Sequence, residues 1–424
     1  MEMKPQIVII SEYFIAGDAI TALNLFSKWE KNALFIASRE TDFFYKNFKA
    51  GYRIGSSEVR FRYPLSLFNS VPESTIIDCS SEQPVKAVHA GSFISTLYLR
   101  FVVPVMKWLG LFPYRTTYSV SEKFLQWIDE VQPNYIYTSV GSLNMAKFVD
   151  ELMEARPQLK AIIHCYDDWV KPNYFTISRS YTKKSSVILR SIISRAAITL
   201  TSSEKMAMDY EERYGRPFIA FPNPVEQISQ DICVNTDSRS VTFVGKILNH
   251  NIKSIVLFAT ALAKSNSNLT LDIYSDVRDE VKNKIKLKYN NTVFHGWVNH
   301  DDIPEIIRKS RILYLPISID KQTVKFTKYS MSTKMSEYLS SGVPILYQGP
   351  DGIAMTEMLE KYRCAFVVKN NDVDMLTSTI NKIVNDNEEC LRVVNSAMSL
   401  FKEKFELRRV TDRLNKILSP NLDK

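Results

Sequence analysis

Short apolar runs at 7–10, 34–37, 75–78, 135–138, 161–163 and 198–201 alternate with longer segments of helical period, and no other feature of the chain constrains its fold as much. Strands covered on both faces read as continuous apolar runs, and the helices between them supply the covers, so this rhythm predicts a parallel sheet between two helical layers. The rhythm begins again at 241–244, 269–274, 292–294, 312–315, 345–347 and 365–368. Between the two sets stand Pro222, Asn223 and Pro224 and a polar stretch to Ser240, which reads as a linker. The expected architecture is α/β: two doubly wound domains at 1–225 and 226–400, then a C-terminal piece at 401–424 built on one amphipathic helix over 401–418. A chain of 424 residues is in any case too long for one core, since domains run at roughly 150 residues.

Composition narrows the function classes. Hydrophobic content of 45% and charged content of 24% are those of a globular protein and exclude disorder or fibre for the chain as a whole. Only 12 glycines are present, and neither GxGxxG nor GxxxxGK[ST] occurs, so helix ends and basic side chains are the expected phosphate binders. The net charge of +8 is shared evenly between the two halves, which suits a nucleotide diphosphate, a lipid diphosphate or an anionic membrane face better than a nucleic-acid groove. Cys79, Cys165, Cys233, Cys364 and Cys390 are widely spaced and odd in number, the pattern of reduced thiols and not of a disulfide framework or zinc site. The apolar run at 7–10 is too short for a signal-peptide core. A cytoplasmic protein is expected.

The densest chemical signal lies at 332–346, STKMSEYLSSGVPIL. Ser332 or Thr333 is expected to cap a short helix, Gly342 to end it in the left-handed conformation, and Val343 to open a buried strand. That leaves Glu337 as a carboxylate on a helix that follows a parallel strand, where acidic residues accept hydrogen bonds from the ribose diol in dinucleotide-binding folds. The segment resembles the K-x-x-E-Y-L-x-x-G-x-P-V signature of GT-B glycosyltransferases, two-domain enzymes that use sugar nucleotides. The likeness is to retaining, family 4-like enzymes of bacterial capsule and exopolysaccharide synthesis. It implies two Rossmann-like domains facing across a cleft, with the last helix crossing back to the first domain. It also implies that Glu337 binds the nucleotide ribose. Upstream of it a basic run, Lys321, Lys325, Lys328 and Lys334, stands in place of the family's acidic, glycine-rich loop, so either sugar recognition is rebuilt, with Ser330 to Thr333 and Lys334 near the diphosphate, or donor use is altered.

Further motifs carry the resemblance. Val241-Thr242-Phe243-Val244-Gly245-Lys246 is similar to the family's first C-domain strand and its V-G-[RK] turn. Gly245 there admits close backbone approach, and Lys246, with Lys253 on the following helix, implies two cations on a departing diphosphate, the charge that a metal supplies elsewhere. Asn291 to Val298, followed by Asp301-Asp302-Ile303-Pro304, resembles N-V-x-F-x-G-x-V…L-P and makes Trp297 and Val298 candidates for the nucleobase. His295 reads as structural. Eight positions before Glu337, where many retaining members carry a first acidic residue, this chain has Tyr329.

In the first half His164-Cys165-Tyr166-Asp167-Asp168-Trp169 resembles a Y-D-x-x-D-D-W or H-D-x-W segment. It makes His164, Asp167 and Asp168 candidates for sugar contact or for the base that takes the acceptor proton. An ordinary helix-capping turn fits the same residues. Gly17 and Asp18 occupy the family's acceptor loop or, equally, a plain βα turn. Residues 93–112, FISTLYLRFVVPVMKWLGLF, are the most apolar stretch. Arg100, Pro104 and Lys107 argue against a membrane span, leaving two readings open: a segment lying on a membrane surface, or a helix packed into the core.

The expected activity is transfer of a sugar from a nucleoside diphosphate donor to a hydroxyl of a glycan or polyprenyl-diphosphate-linked glycan. The resemblance implies retention of configuration, no metal and no cofactor beyond the donor itself, and a place in the cytoplasm or at the inner membrane face. Two alternatives are a sugar-nucleotide epimerase and a catalytically silent subunit that binds a partner or membrane.

Overall fold

The computed structural model describes residues 5–14, 20–41, 47–63, 65–67, 70–79, 98–108, 111–170, 179–232, 234–247, 251–265, 267–277, 279, 282–283 and 291–419. The chain divides into two compact units, Met1–Phe221 with Arg413–Lys424, and Pro222–Asp412.

The first unit contains β1 (Ile7–Phe14), β2 (Leu34–Thr41), β3 (Ala50–Arg53), β4 (Val59–Phe61), β5 (Thr75–Asp78), β6 (Thr116–Tyr118), β7 (Tyr135–Thr138), β8 (Lys160–Cys165), β9 (Ile198–Thr201) and β10 (Ile219–Ala220). Eight of these form one sheet in the order β10-β9-β8-β7-β1-β2-β3-β5. Every residue of β7 and β9 is buried, as their unbroken apolar runs require. The sheet is not wholly parallel, because β5 runs antiparallel to β3, and β4 and β6 make a separate antiparallel pair. Strands β3, β4 and β6 escaped the sequence reading because AGYR, VRF and TTY hold no apolar run longer than one or two residues. Three helices of this unit start alike: the Ser121, Ser142 and Ser203 hydroxyls accept from the amides of Phe124, Met145 and Met206, satisfying N–H groups that lack an intrahelical partner.

In the second unit β11 (Ser240–Val244), β12 (Thr270–Tyr274), β13 (Thr292–Phe294), β14 (Ile312–Pro316), β15 (Ile345–Gln348) and β16 (Phe366–Val368) form a parallel sheet ordered β13-β12-β11-β14-β15-β16. Numbered along the chain this is the 3-2-1-4-5-6 order of a dinucleotide-binding fold, whose order reverses between the first and fourth strands. Side chains alternate between its two faces. Val241, Phe243, Leu271 and Ile273 pack with Ile255, Phe258 and Ile380 on one side. Leu313, Leu315, Ile345 and Tyr347 pack with Met335, Leu339 and Leu359 on the other.

The single helix expected over 401–418 is two, Asn387–Lys404 and Leu407–Leu418. They part at Phe405 and Glu406, where the backbone exchanges hydrogen bonds with a linker residue: the Val225 amide donates to the Phe405 carbonyl and the Leu407 amide to the Val225 carbonyl, each at 3.0 Å. Arg413 onward belongs to the first unit. There Leu414 and Leu418 are buried, the Tyr135 hydroxyl donates to the Leu418 carbonyl at 3.1 Å, and the Arg413 guanidinium lies over the Phe221 ring.

Candidate functional site

Ligands of open α/β sheets bind beyond the carboxyl ends of the strands where strand order reverses. In the second unit that point lies between β11 and β14, and β11 ends at Val244. Gly245 follows with φ +127, a backbone conformation that side chains rarely adopt. The space that its Cβ would occupy is filled by the Lys334 side chain, whose Nζ would lie 2.7 Å away. The same Nζ sits 5.0 Å from the centre of the Phe243 ring, a cation–π contact at the strand's end. Glycine at 245 therefore lets a lysine from another element lie directly on the backbone.

Lys334 comes from the helix Thr333–Leu339, which also carries Glu337. Tyr338 anchors this helix to the strand, its buried hydroxyl accepting from the Val244 amide at 3.2 Å. The Ser332 side chain makes no cap bond, contrary to the expectation from its type. The helix is held at its other end, where the Ser340 and Ser341 hydroxyls donate to the carbonyls of Glu337 and Tyr338, each at 2.7 Å, and Gly342 turns the chain at φ +77. Two serines after a helix thus perform a capping task that a search for N-caps overlooks.

Glu337 is partly buried and accepts no hydrogen bond from the described residues. Burial pushes its carboxyl above the ordinary value, against the opposing charges of His300 and Lys334. Burial likewise lowers the Lys334 ammonium pKa, opposed by Glu337. Glu337 and Lys334 thus stand half-buried on one helix, each favouring the other's charged form, and the carboxylate accepts from none of the described residues, as a site for a ribose diol would require. His300 begins the turn His300–Asp302, and the sequence reading missed it because it lies outside the quoted motif.

Lys246 is exposed in the turn after Gly245, and Lys253 is exposed in the first turn of the helix Ile252–Lys264. Thr333 is exposed at the start of its own helix. Trp297 is 72% exposed beside Gly296, whose φ is +81, and Val298 is half-buried. His295 is held in place: its ring stacks on Tyr274 and its Nε2 lies 2.7 Å from the Asp272 carboxylate, which also accepts from Ser240. Tyr329, standing where an acid was looked for, is buried with the Lys328 ammonium donating to its hydroxyl at 3.0 Å.

The first-unit candidates are arranged differently. His164 is fully buried, its Nδ1 2.8 Å from the Tyr137 hydroxyl, which in turn lies 2.6 Å from the Tyr166 hydroxyl. Burial lowers its pKa to about 3, so it stays neutral inside the unit. As placed, it is a core residue, which corrects the reading of it as a group presented to a sugar. Both Asp168 oxygens accept from the Arg213 guanidinium at 2.9 Å, and one also accepts from Tyr210 at 3.2 Å. Burial opposes the Arg213 charge, yet the bonds and charge of Asp168 hold its pKa above the usual value. Asp168 thus ties the turn after β8 to the helix Glu204–Tyr214. Asp167 is half-buried beside it. Gly17 and Asp18 lie outside the described residues, as do 93–97 and 109–110 of the apolar stretch. Among the described residues no helix is long and apolar enough to cross a membrane.

Residues 238–386, which contain all the second-unit candidates, match the family model of glycosyl transferases group 1. No curated protein sequence matches the chain. Among solved structures, HepE from Anabaena in complex with UDP aligns with a TM-score of 0.61 at 13% identity, covering 98% of this chain and 100% of that one. A glycosyltransferase from Rickettsia africae aligns with a TM-score of 0.60 at 10% identity, covering 99% of each chain. Sucrose-phosphate synthase from Thermosynechococcus elongatus aligns with a TM-score of 0.59 at 13% identity, again covering 99% of each. The fold is therefore the GT-B fold, with two Rossmann-like domains.

Proposed function

We propose that the chain is a glycosyltransferase that moves a sugar from a nucleoside diphosphate donor to a hydroxyl of a glycan or a polyprenyl-diphosphate-linked glycan. The observation that carries this reading is Glu337, half-buried and without a hydrogen-bond donor among the described residues, on the helix whose Lys334 lies against Gly245 at the end of β11. In the proposal its carboxylate accepts from both ribose hydroxyls. Lys334 and Lys246 neutralise the diphosphate, Lys253 adds a cation at the helix start, and Thr333 offers its amide and hydroxyl. Trp297 and Val298 border the base. Positive charge fixed where the leaving diphosphate develops its own charge stabilises the transition state without a metal.

Solved structures of HepE hold UDP, UDP with glucose, and UDP-glucose, which supports a uridine donor here. We assign the acceptor to the first unit and a retaining course to the reaction, with the leaving phosphate helping to deprotonate the acceptor hydroxyl. This course asks for no protein base, in keeping with the engagement of Asp168 by Arg213. Capsule or exopolysaccharide synthesis at the inner face of the membrane is the setting that the motifs favour.

Calorimetric titration with UDP tests the reading. Binding that falls by more than tenfold in Glu337→Ala is the expected result, because bonds to a charged group contribute about 1.5–3 kcal/mol. The buried Tyr329 paired with Lys328 favours one second reading, a catalytically silent subunit. Absence of UDP and GDP binding at millimolar concentration would select it.

A further inference from the structure

Two segments of the first unit, from Val59 to Pro72 and from Tyr98 to Ser121, contain no Asp or Glu, yet they hold Arg60, Arg62, Arg100, Lys107 and Arg115. The fold joins them. Val59, Arg60 and Phe61 of β4 pair with Tyr118, Thr117 and Thr116 of β6, and just beyond the ladder the Arg62 amide donates to the Arg115 carbonyl at 3.0 Å. Along the second segment a π-helical turn, Tyr98–Val102, leads into the short helix Val103–Trp108.

Core packing is contradicted for the described part of this stretch. Phe101 is 60% exposed, Val105 53% and Leu111 49%, and Arg100, Val102 and Pro104 are exposed with them, while Val103 is buried. The joined segment adds Tyr63 at 80% and Leu67 at 66%. Large apolar side chains exposed on paired segments that carry arginines and no acidic residue mark an interaction surface and not ordinary scatter. The arginines also lie along aromatic rings: Arg115 is 3.8 Å from the centre of Phe112 and Arg100 5.9 Å from that of Phe101. A guanidinium on an aromatic face is suited to the headgroup level of a bilayer, where the ring sits among acyl chains and the cation meets phosphate.

We propose that this composite surface, Tyr63 and Leu67 with Phe101, Val105 and Leu111 and the arginines at 60, 62, 100 and 115, docks the first unit onto an anionic lipid bilayer. A protein partner of like shape would need acidic groups opposite these arginines, whereas an anionic leaflet supplies both the apolar depth and the negative charge. All residues of this surface belong to the first unit and none is a nucleotide candidate, so the proposal stands or falls separately from the sugar-transfer reading.

Flotation of the whole chain with phosphatidylcholine vesicles, with and without about one third phosphatidylglycerol, tests it. The expected result is binding to the anionic vesicles alone, weakened at high salt because the attraction is screened. Phe101→Asp combined with Val105→Asp should lose binding at least tenfold. Each of Arg60→Ala and Arg100→Ala should lose about fivefold, from the roughly 1 kcal/mol that a basic residue contributes near such a surface. Circular dichroism and urea denaturation of the same variants establish that they remain folded, which is expected because the substituted side chains are exposed. Equal binding to neutral vesicles, no binding to either, variants that bind like the parent, or self-association by sedimentation that the Asp pair abolishes would each overturn the proposal.

Discussion

A half-buried carboxylate without a hydrogen-bond donor is costly to keep charged, and among the described residues none donates to Glu337. Its folded pKa is raised from 4.5 by burial, so the folded state holds its proton more tightly than the unfolded chain. The stability this contributes is fully present below the usual carboxylate value and is lost as pH rises through the raised one. Glu337→Gln removes that loss. The variant should melt at higher temperature than the parent at pH 7, with the difference vanishing near pH 4, while its affinity for UDP falls about 10-fold or more. Thermal melts at the two pH values, paired with titration, check both halves, and a variant less stable at pH 7 would show that Glu337 has structural partners. At this scale the sequence was informative for Glu337, Lys334 and Gly245, because their types and spacing already state a helix beside a glycine turn. It was misleading for His164. A histidine at the end of a buried strand looks the same in sequence whether it faces substrate or, as here, Tyr137 inside the unit.

At the scale of elements, the strands of the second sheet were legible almost to the residue, since each is an apolar run of three to five residues with little else nearby. The break at Phe405–Glu406 was not, because helical period continues through it and only the pairing with Val225 interrupts the helix. The turn after β8 had two readings, a catalytic cluster or a structural one, and Arg213 is the residue that separates them. Its fork to Asp168 is largely shielded, with side-chain exposures of 21% and 11%. Arg213→Ala leaves that carboxylate unpaired and should destabilise the first unit by about 3 kcal/mol, measured by urea denaturation. Asp168→Asn should lose stability together with any activity. Activity lost at unchanged stability would return Asp168 to the role of base.

For the molecule as a whole, two compact units, one of which carries the residues proposed to bind the nucleotide, imply a local response to ligand. Ligand that binds only the folded state stabilises it by about 2.7 kcal/mol at one hundred times its dissociation constant. Hydrogen exchange with saturating UDP should slow the amides at 244–246, 297–300 and 333–337. Protection confined to the first unit would move the nucleotide site. The amino-acid order alone determined the class of fold, the number of domains and the peptide that carries the motif, because apolar period and short motifs are local properties of a chain. Only the tertiary structure decided which polar groups of those motifs are spent on the protein itself. Asp168 turns to Arg213, His164 to Tyr137 and His295 to Asp272, whereas Glu337 accepts from none of the described residues. The partner that settles each of the first three cases lies 23 to 45 residues away along the chain, and no local pattern records it.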